Sequence, residues 1–345
     1  MVISAALIVS IVLVLAVIFV NGWTDAPNAI ATAVSTRCLT PRRAVIMAVI
    51  FNILGAGVMT LINAKVATTI FKMVNFETTI AAANAPLIVL AASLAAIVIW
   101  ATAAWYFGIP TSESHALIAG LSGGAIAFGG GLSAINFGEW KKVLIGLGLS
   151  SVLGFLSGFL FVKLLVLVFA GVRRNTANKI FHGGQIFGAA SMAFMHGAQD
   201  GQKFMGVFML ALYLNNAAVM SPGGTFEIRW WLILLCSVTM GVGTSVGGYR
   251  IIKAVGMDMV KLEKYQGFSA DIAAAACLLL ASLTGVPVST THTKTTAIMG
   301  VGSARRLSSV NWGVVKDMVL AWVLTFPGCG LIGYVLSKAC LLMFR

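Results

Sequence analysis

The stretch Met195-His-Gly-Ala-Gln-Asp-Gly-Gln-Lys203 sets polar and ionisable residues inside an otherwise apolar run. Apolar sequence leads in over residues 183–194 and continues over 204–214. The whole span is long enough to cross a bilayer once as a tilted helix. Asp200 and Lys203 then fall near its centre, where a charged side chain costs roughly 2.5–3.5 kcal/mol on the insertion scale. Gly197 and Gly201 bracket them, which predicts an interrupted helix at that depth. A broken helix bearing charge survives in a membrane only where it lines a cavity or is buried in protein. Something else in the chain must come to meet it.

Composition defines the class. Of 345 residues, 59% are hydrophobic and 10% charged, as in a multi-pass protein of the cell membrane with the lipid bilayer as its surroundings. The formal charge of +13 would suggest nucleic acid in a soluble protein; here it fits Lys and Arg gathered in cytoplasmic loops, and no nucleic-acid partner is expected. Residues 1–20 have no basic start and no small-residue cleavage site, so they read as a retained first span. Five cysteines, without CxxC spacing, read as reduced packing residues rather than a disulfide or zinc framework.

Working outward, the first span breaks at residues 21–28 and continues to 35. Further spans are predicted at 44–62, 86–107 and 143–171, with a Gly-rich apolar piece ending at Gly131. A polar connector at 175–182 divides the chain into a membrane half over 1–174 and another over 183–345. The halves repeat one plan. Asn21-Gly-Trp-Thr-Asp25 aligns with His196-Gly-Ala-Gln-Asp200 at a separation of 175 residues, and Gly108-Ile-Pro-Thr-Ser-Glu-Ser-His115 with Gly285-Val-Pro-Val-Ser-Thr-Thr-His292 at 177.

Arg37, Arg42 and Arg43 follow the first break, while 215–226, after the second, holds no Lys or Arg. One loop later the bias reverses: 63–83 is weakly charged, and 250–264 carries Arg250, Lys253, Lys261 and Lys264. Matched loops of opposite bias mean opposite orientation, so the repeats are expected to be inverted. Five crossings per half put both termini outside, and Arg173, Arg174, Arg305 and Arg306 inside; Lys141 and Lys142 fall outside, against the trend.

Four polar interruptions, at Asp25, Ser112, Asp200 and Ser289, are expected to meet near the midplane. The two Pro-led hydroxyl clusters have the composition of helix N-termini, which bind anions through free N–H groups and hydroxyls. Two facing each other would hold a tetrahedral oxyanion. Such a terminus contributes about 0.3–2 kcal/mol, while burying an isolated ion costs several to tens. Asp25, Asp200 and Glu113 add up to three negative charges, and Lys203 and Lys294 offset two at most. An anion can load only with protons or cations.

At these residues the chain resembles the inorganic phosphate transporter (PiT) family, through Asn-Gly-Trp-Thr-Asp-Ala-Pro-Asn-Ala at 21–29, His-Gly-Ala-Gln-Asp-Gly-Gln-Lys at 196–203 and Pro-Val-Ser-Thr-Thr-His at 287–292. The resemblance covers both halves. It implies an all-α polytopic fold of two inverted-topology repeats with broken helices and re-entrant hairpins, phosphate at the midplane, alternating access and symport with H+ or Na+. No other cofactor is implied, and a homodimer is. Carried over by position, Asp25, Asn28 and Asp200 serve the coupling cation, including any Na+; Ser112, Ser114, Ser289, Thr290 and Thr291 bind phosphate. Thr111 and Gln199 join the phosphate side and Glu113 the cation side.

Two departures matter. Gln199 replaces a usual Asn, and Lys203 occupies the place matching Asn28, with Lys294 just past the second hydroxyl cluster. A lysine standing where sodium sits elsewhere leaves protons as the driver. Glu113 and Lys294, one from each half, are expected to pair as a gate or charge bridge. His115, His196 and His292 are expected to orient neighbouring hydroxyls. No HExxH occurs, which sets aside an intramembrane metalloenzyme and a resident metal. The alternatives are a permease for sulfate, which lacks a proton to give a carboxylate, and an anion channel, in which carboxylates would be ill placed.

Overall fold

A computed structural model of the chain describes residues 4–76, 84–109, 111–216, 227–246 and 248–343. Glu77, Pro110 and 217–226 of the loop without Lys or Arg lie outside them. The first half holds α1 (Ala5–Thr24), α2 (Ala26–Ser35), α3 (Pro41–Ile62), α4 (Lys65–Lys72), α5 (Ala85–Tyr106), α6 (Glu113–Gly129) and α7 (Phe137–Val168). The second holds α8 (Arg174–Leu214), α9 (Trp230–Val246), α10 (Tyr249–Lys253), α11 (Lys264–Thr284), α12 (Thr290–Arg305) and α13 (Trp312–Met343). No strand occurs among the described residues; two isolated β-bridges, Val74 to Ile135 and Val260 to Val310, pin connecting segments.

Among the described residues, six helical stretches are long and apolar enough to cross a membrane: Ala5–Ser35, α3, α5, α7, α11 and α13; α9 with the helical segment Ile251–Asp258 makes a seventh if the bent pair counts as one span. That is fewer than five apolar crossings per half. At 17 and 16 residues, α6 and α12 fall short of the roughly 20 that a span needs, and α8 carries buried charge.

Local chemistry sets the boundaries near the centre. Pro27 has no amide to bond Trp23, so the helical hydrogen bonding is interrupted at Asp25 and resumes in α2. Gly108 and Gly285 follow α5 and α11 with φ of +69° and +77°, a conformation that stops a helix and costs glycine little. Ser112 and Ser289 then cap α6 and α12, their side chains accepting from His115 N and His292 N. The two hairpins are thus the same device used twice.

The expected break in α8 is absent. The helix runs unbroken for 41 residues through Gly197 and Gly201, and residues 175–182 form its opening turns rather than a loose connector. The glycines serve close approach instead. A Cβ at Gly197 would meet Asn52 O at 2.2 Å, and one at Gly201 would meet Ala56 Cβ at 2.6 Å, both on α3. Asn21, Asn52 and Ser114 of other segments bond Asp200, His196 and Lys203, so the backbone need not open to satisfy them.

Packing is reciprocal between the halves. α6 packs on α13 and α12 on α7; α5 packs on α13 and α11 on α7; α3 lies against α8 and α9 against α1. Along each central helix, polar residues interrupt two apolar cores. On α8 one core holds Met192 to Ala198 and the other Phe204 to Leu212; on the first span the cores end at Ile18 and resume at Ala29.

Candidate functional site

Helices α6 and α12 begin at one point. Ser112 Oγ and Ser289 Oγ are 2.8 Å apart, and both residues are fully buried. Two N-caps in contact aim two sets of free backbone N–H groups at a single region, an arrangement that favours negative charge.

Beside it lie two half-sites built from matching positions of the repeat. In the first, Asp25 Oδ1 accepts from Thr291 Oγ1 at 2.6 Å, and Asn28 Nδ2 donates to both, at 3.2 Å and 3.1 Å. In the second, Lys203 Nζ donates to Asp200 Oδ1 and Ser114 Oγ, each at 2.6 Å, and to Val288 O at 2.5 Å. The repeat offsets map Asp25 onto Asp200, Asn28 onto Lys203 and Ser114 onto Thr291. The same three positions therefore meet twice, with an amide in one triangle and an ammonium in the other; Thr291 bonds Asp25 directly, whereas Ser114 meets Asp200 through Lys203 and it is Thr290 that bonds Asp200.

The half-sites touch. Asp200 Oδ2 accepts from Asn21 Nδ2 and Thr290 Oγ1, both at 3.2 Å. Asn52 Nδ2 donates to Thr244 Oγ1, which leaves Asn52 Oδ1 to accept from His196 Nδ1 at 2.9 Å. A neutral His196 then presents the Nε2 lone pair to Asp200 Oδ2, 3.3 Å away. Ligand atoms of Asp25, His196 and Asp200 all lie within 4.8 Å of one another, and Asp25 Oδ2 has no hydrogen-bond partner among the described residues. Lone pairs crowded in this way call for a proton or cation between them.

Glu113 is also buried at this junction and accepts a short hydrogen bond from Thr24 Oγ1, not a bond from Lys294. The expected Glu113–Lys294 bridge does not form. Lys294 sits one turn further into α12 and pairs with Asp271 of α11, a residue that sequence inspection overlooked. A single acidic side chain in the apolar run of α11 was the available signal. Near the centre, then, three carboxylates (Asp25, Glu113 and Asp200) face one ammonium, Lys203.

The remaining candidates divide. Gln199 is buried and reaches Val286 O at 3.4 Å, so it braces the hairpin preceding α12; its Oε1 has no hydrogen-bond partner among the described residues. Thr111 is half-buried just before the α6 cap. Of the histidines expected to orient hydroxyls, His196 instead faces Asp200, and His115 Nδ1 lies 3.3 Å from Trp322 O. His292 Nδ1 reaches a hydroxyl, but that of Ser151 on α7, at 3.3 Å. Third in their helices, His115 and His292 take a capping bond on the main chain and turn their rings outward, where they meet with centroids 4.3 Å apart.

A buried, charged polar centre between two apolar cores, in a bundle of helices long and apolar enough to cross a membrane, is the architecture of a multi-pass membrane transporter. The phosphate transporter family profile matches residues 21–333, and the chain belongs to that family. A Bacillus subtilis (strain 168) protein named "Probable low-affinity inorganic phosphate transporter" is 39% identical over 328 residues, covering 95% of each chain. One of the same name from Rhizobium meliloti (strain 1021) is 37% identical, over 91% of this chain and 90% of that one. The solved structure of "The sodium-dependent phosphate transporter" has the same fold, with a TM-score of 0.88 at 24% identity over 99% of this chain and 100% of that one.

Proposed function

We propose that the protein imports inorganic phosphate by cation-coupled symport, with alternating access around a midplane site and with H+ as the favoured partner. Phosphate lies where α6 and α12 begin, held by Ser112, Ser114, Ser289, Thr290 and Thr291 and by the free N–H groups of both helices, with Thr111 and Gln199 at its edge. Lys203 supplies the fixed positive charge. Asp25, Asn28, His196, Asp200 and Glu113 receive the coupling cation.

The observation that carries this reading is the contact of two capped helix starts, Ser112 Oγ to Ser289 Oγ at 2.8 Å, inside a ring of buried carboxylates. The helix starts attract an anion while three carboxylates against one lysine repel it, so the anion must arrive with positive charge. Protons suit the centre better than sodium because Lys203 already fills one of two equivalent cation positions. Asp25 and His196 next to it offer lone pairs at hydrogen-bonding range. In a bilayer, two helices that start at one point and belong to matched, reciprocally packed halves lead naturally to inverted repeats.

Counterflow of labelled phosphate in liposomes containing the purified protein tests the reading, with sodium, pH and sulfate varied in turn. Exchange that is competed by phosphate more than by sulfate, and accumulation under a pH gradient without sodium, are expected. Absence of accumulation against a gradient would mean a channel, strict sodium dependence would exclude proton coupling, and equal competition by sulfate would overturn the substrate assignment.

A further inference from the structure

A second buried ion pair lies outside both half-sites. Lys294 pairs with Asp271 and donates to Thr32 Oγ1 at 3.1 Å. Thr32 Oγ1 lies 2.8 Å and 2.9 Å from the two Asp271 oxygens, and Gln185 Nε2 donates to Asp271 Oδ2 at 2.7 Å. The cluster joins α2, α8, α11 and α12, and all four side chains are at 0% exposure.

The repeat offers its own control. Moved by 177 residues, Asp271 and Lys294 fall on Leu94 and Leu117; moved by 175, Thr32 falls on Val207 and Gln185 on Ser10. Leu94, Leu117 and Val207 belong to one apolar core, each fully buried. Ser10 gives its hydroxyl to the carbonyls of Ala6 and Leu87. One half thus fills with charge the interhelical position that the other fills with hydrocarbon.

Stability does not account for the choice. Replacing a buried ion pair by apolar side chains of similar volume is often neutral or stabilising, and the other half already folds with that replacement. The two closures differ when water reaches them. Parting leucines exposes apolar surface, whereas a parted ion pair is rehydrated and recovers the desolvation cost it carries while closed.

The cluster lies on one side of the centre. Thr36, at the end of α2, and Gln185 both crowd Gly267 near the start of α11, and beyond it Arg305 approaches Glu263 at 3.7 Å. This is the basic end of the bundle, which the distribution of Lys and Arg assigns to the cytoplasm.

We infer that Asp271 and Lys294 are gate residues of the transport cycle, a charged closure on the cytoplasmic side of the centre set against an apolar closure at Leu94, Leu117 and Val207. The charged gate opens at lower cost, so the carrier spends more of its cycle open to the side of release. The inference rests on the phosphate reading, and the experiment keeps the two apart.

The decisive variant gives the charged side the residues of its counterpart: Asp271→Leu, Lys294→Leu, Thr32→Val and Gln185→Ser. It is expected to fold, to melt at or above the wild-type temperature, and to lose about tenfold or more in phosphate counterflow through a shifted conformational equilibrium. The reversed pair, Asp271→Lys with Lys294→Asp, is expected to recover most of that rate, which restored packing alone would not do. Wild-type rates in the apolar variant, no recovery in the reversed pair, or an unfolded apolar variant would each overturn the gate. No counterflow in the wild type would instead remove the phosphate reading.

Discussion

The two half-sites are built from repeat-matched positions, and they differ by one charge and in how their hydroxyl is bonded. Asp25, Asn28 and Thr291 close a triangle through an amide; at the matching positions the Lys203 ammonium bonds both Asp200 and Ser114, and Thr290 rather than Ser114 bonds Asp200. An ion pair and an amide–carboxylate pair are not equivalent in a buried setting. The Asp200 triangle is complete by itself, whereas the Asp25 triangle retains a negative charge that something mobile must balance. On the proposed reading, one copy of the motif holds a structural charge and the other the charge that the transported cation balances.

Neutralising each aspartate should break the comparison most visibly. Asp200→Asn strips Lys203 of its counter-charge inside the protein and is expected to cost about 3–5 kcal/mol of stability. Asp25→Asn removes a charge that makes no direct ion pair among the described residues, so the fold should hold within about 1 kcal/mol while gradient-driven phosphate accumulation falls roughly a hundredfold. Thermal melts in detergent alongside uptake in liposomes check both. Equal destabilisation by the two changes would mean that the triangles are energetically alike, and the division of roles would be lost.

Lys203→Asn sharpens the same point by giving both triangles an aspartate, an amide and a hydroxyl. The variant needs one more mobile cation for every phosphate. Its uptake at neutral pH is expected to fall by about tenfold, an order set by 1.4 kcal/mol, and to recover on acidification or on adding sodium. Wild-type protein should show no sodium response. Uptake by the variant measured across pH, with sodium and choline exchanged at constant ionic strength, reads this directly; a variant indifferent to both would sink it.

Most of this architecture was legible because it rests on chemistry that few positions can satisfy. Pro27 after Asp25, the Gly-then-Ser punctuation before α6 and α12, and the offsets of 175 and 177 residues each leave a local signature. Asp25, Asp200, Lys203 and the hydroxyl residues do converge. What was misread depended on partners far along the chain. Gly197 and Gly201 look like helix breaks until Asn52 and Ala56 are seen pressed against them. Lys294 could have reached Glu113 by charge alone, and only the register of α12 against α11 hands it to Asp271. His115, in the first turn of α6, turns its ring to Trp322 O, while His292 does meet a hydroxyl, that of Ser151 on α7.

The smallest effect concerns the point where the halves meet. Ser112 and Ser289 each cap a helix, so Ser→Ala at either should cost about 1 kcal/mol, within a range of roughly 0.5–2. If these hydroxyls were only caps, the two losses would add, because α6 and α12 pack on different helices. But the hydroxyls lie 2.8 Å apart, and one bound anion between them would draw on both. The apparent affinity for phosphate should then fall about fivefold in each single variant, and the double variant should depart from additivity by at least about 0.5 kcal/mol. Melting temperatures measured without phosphate supply the control, since the contact between the hydroxyls exists there too. Coupling in affinity beyond that seen in stability assigns the pair to the ligand; coupling in stability alone leaves it as a joint between two helix ends.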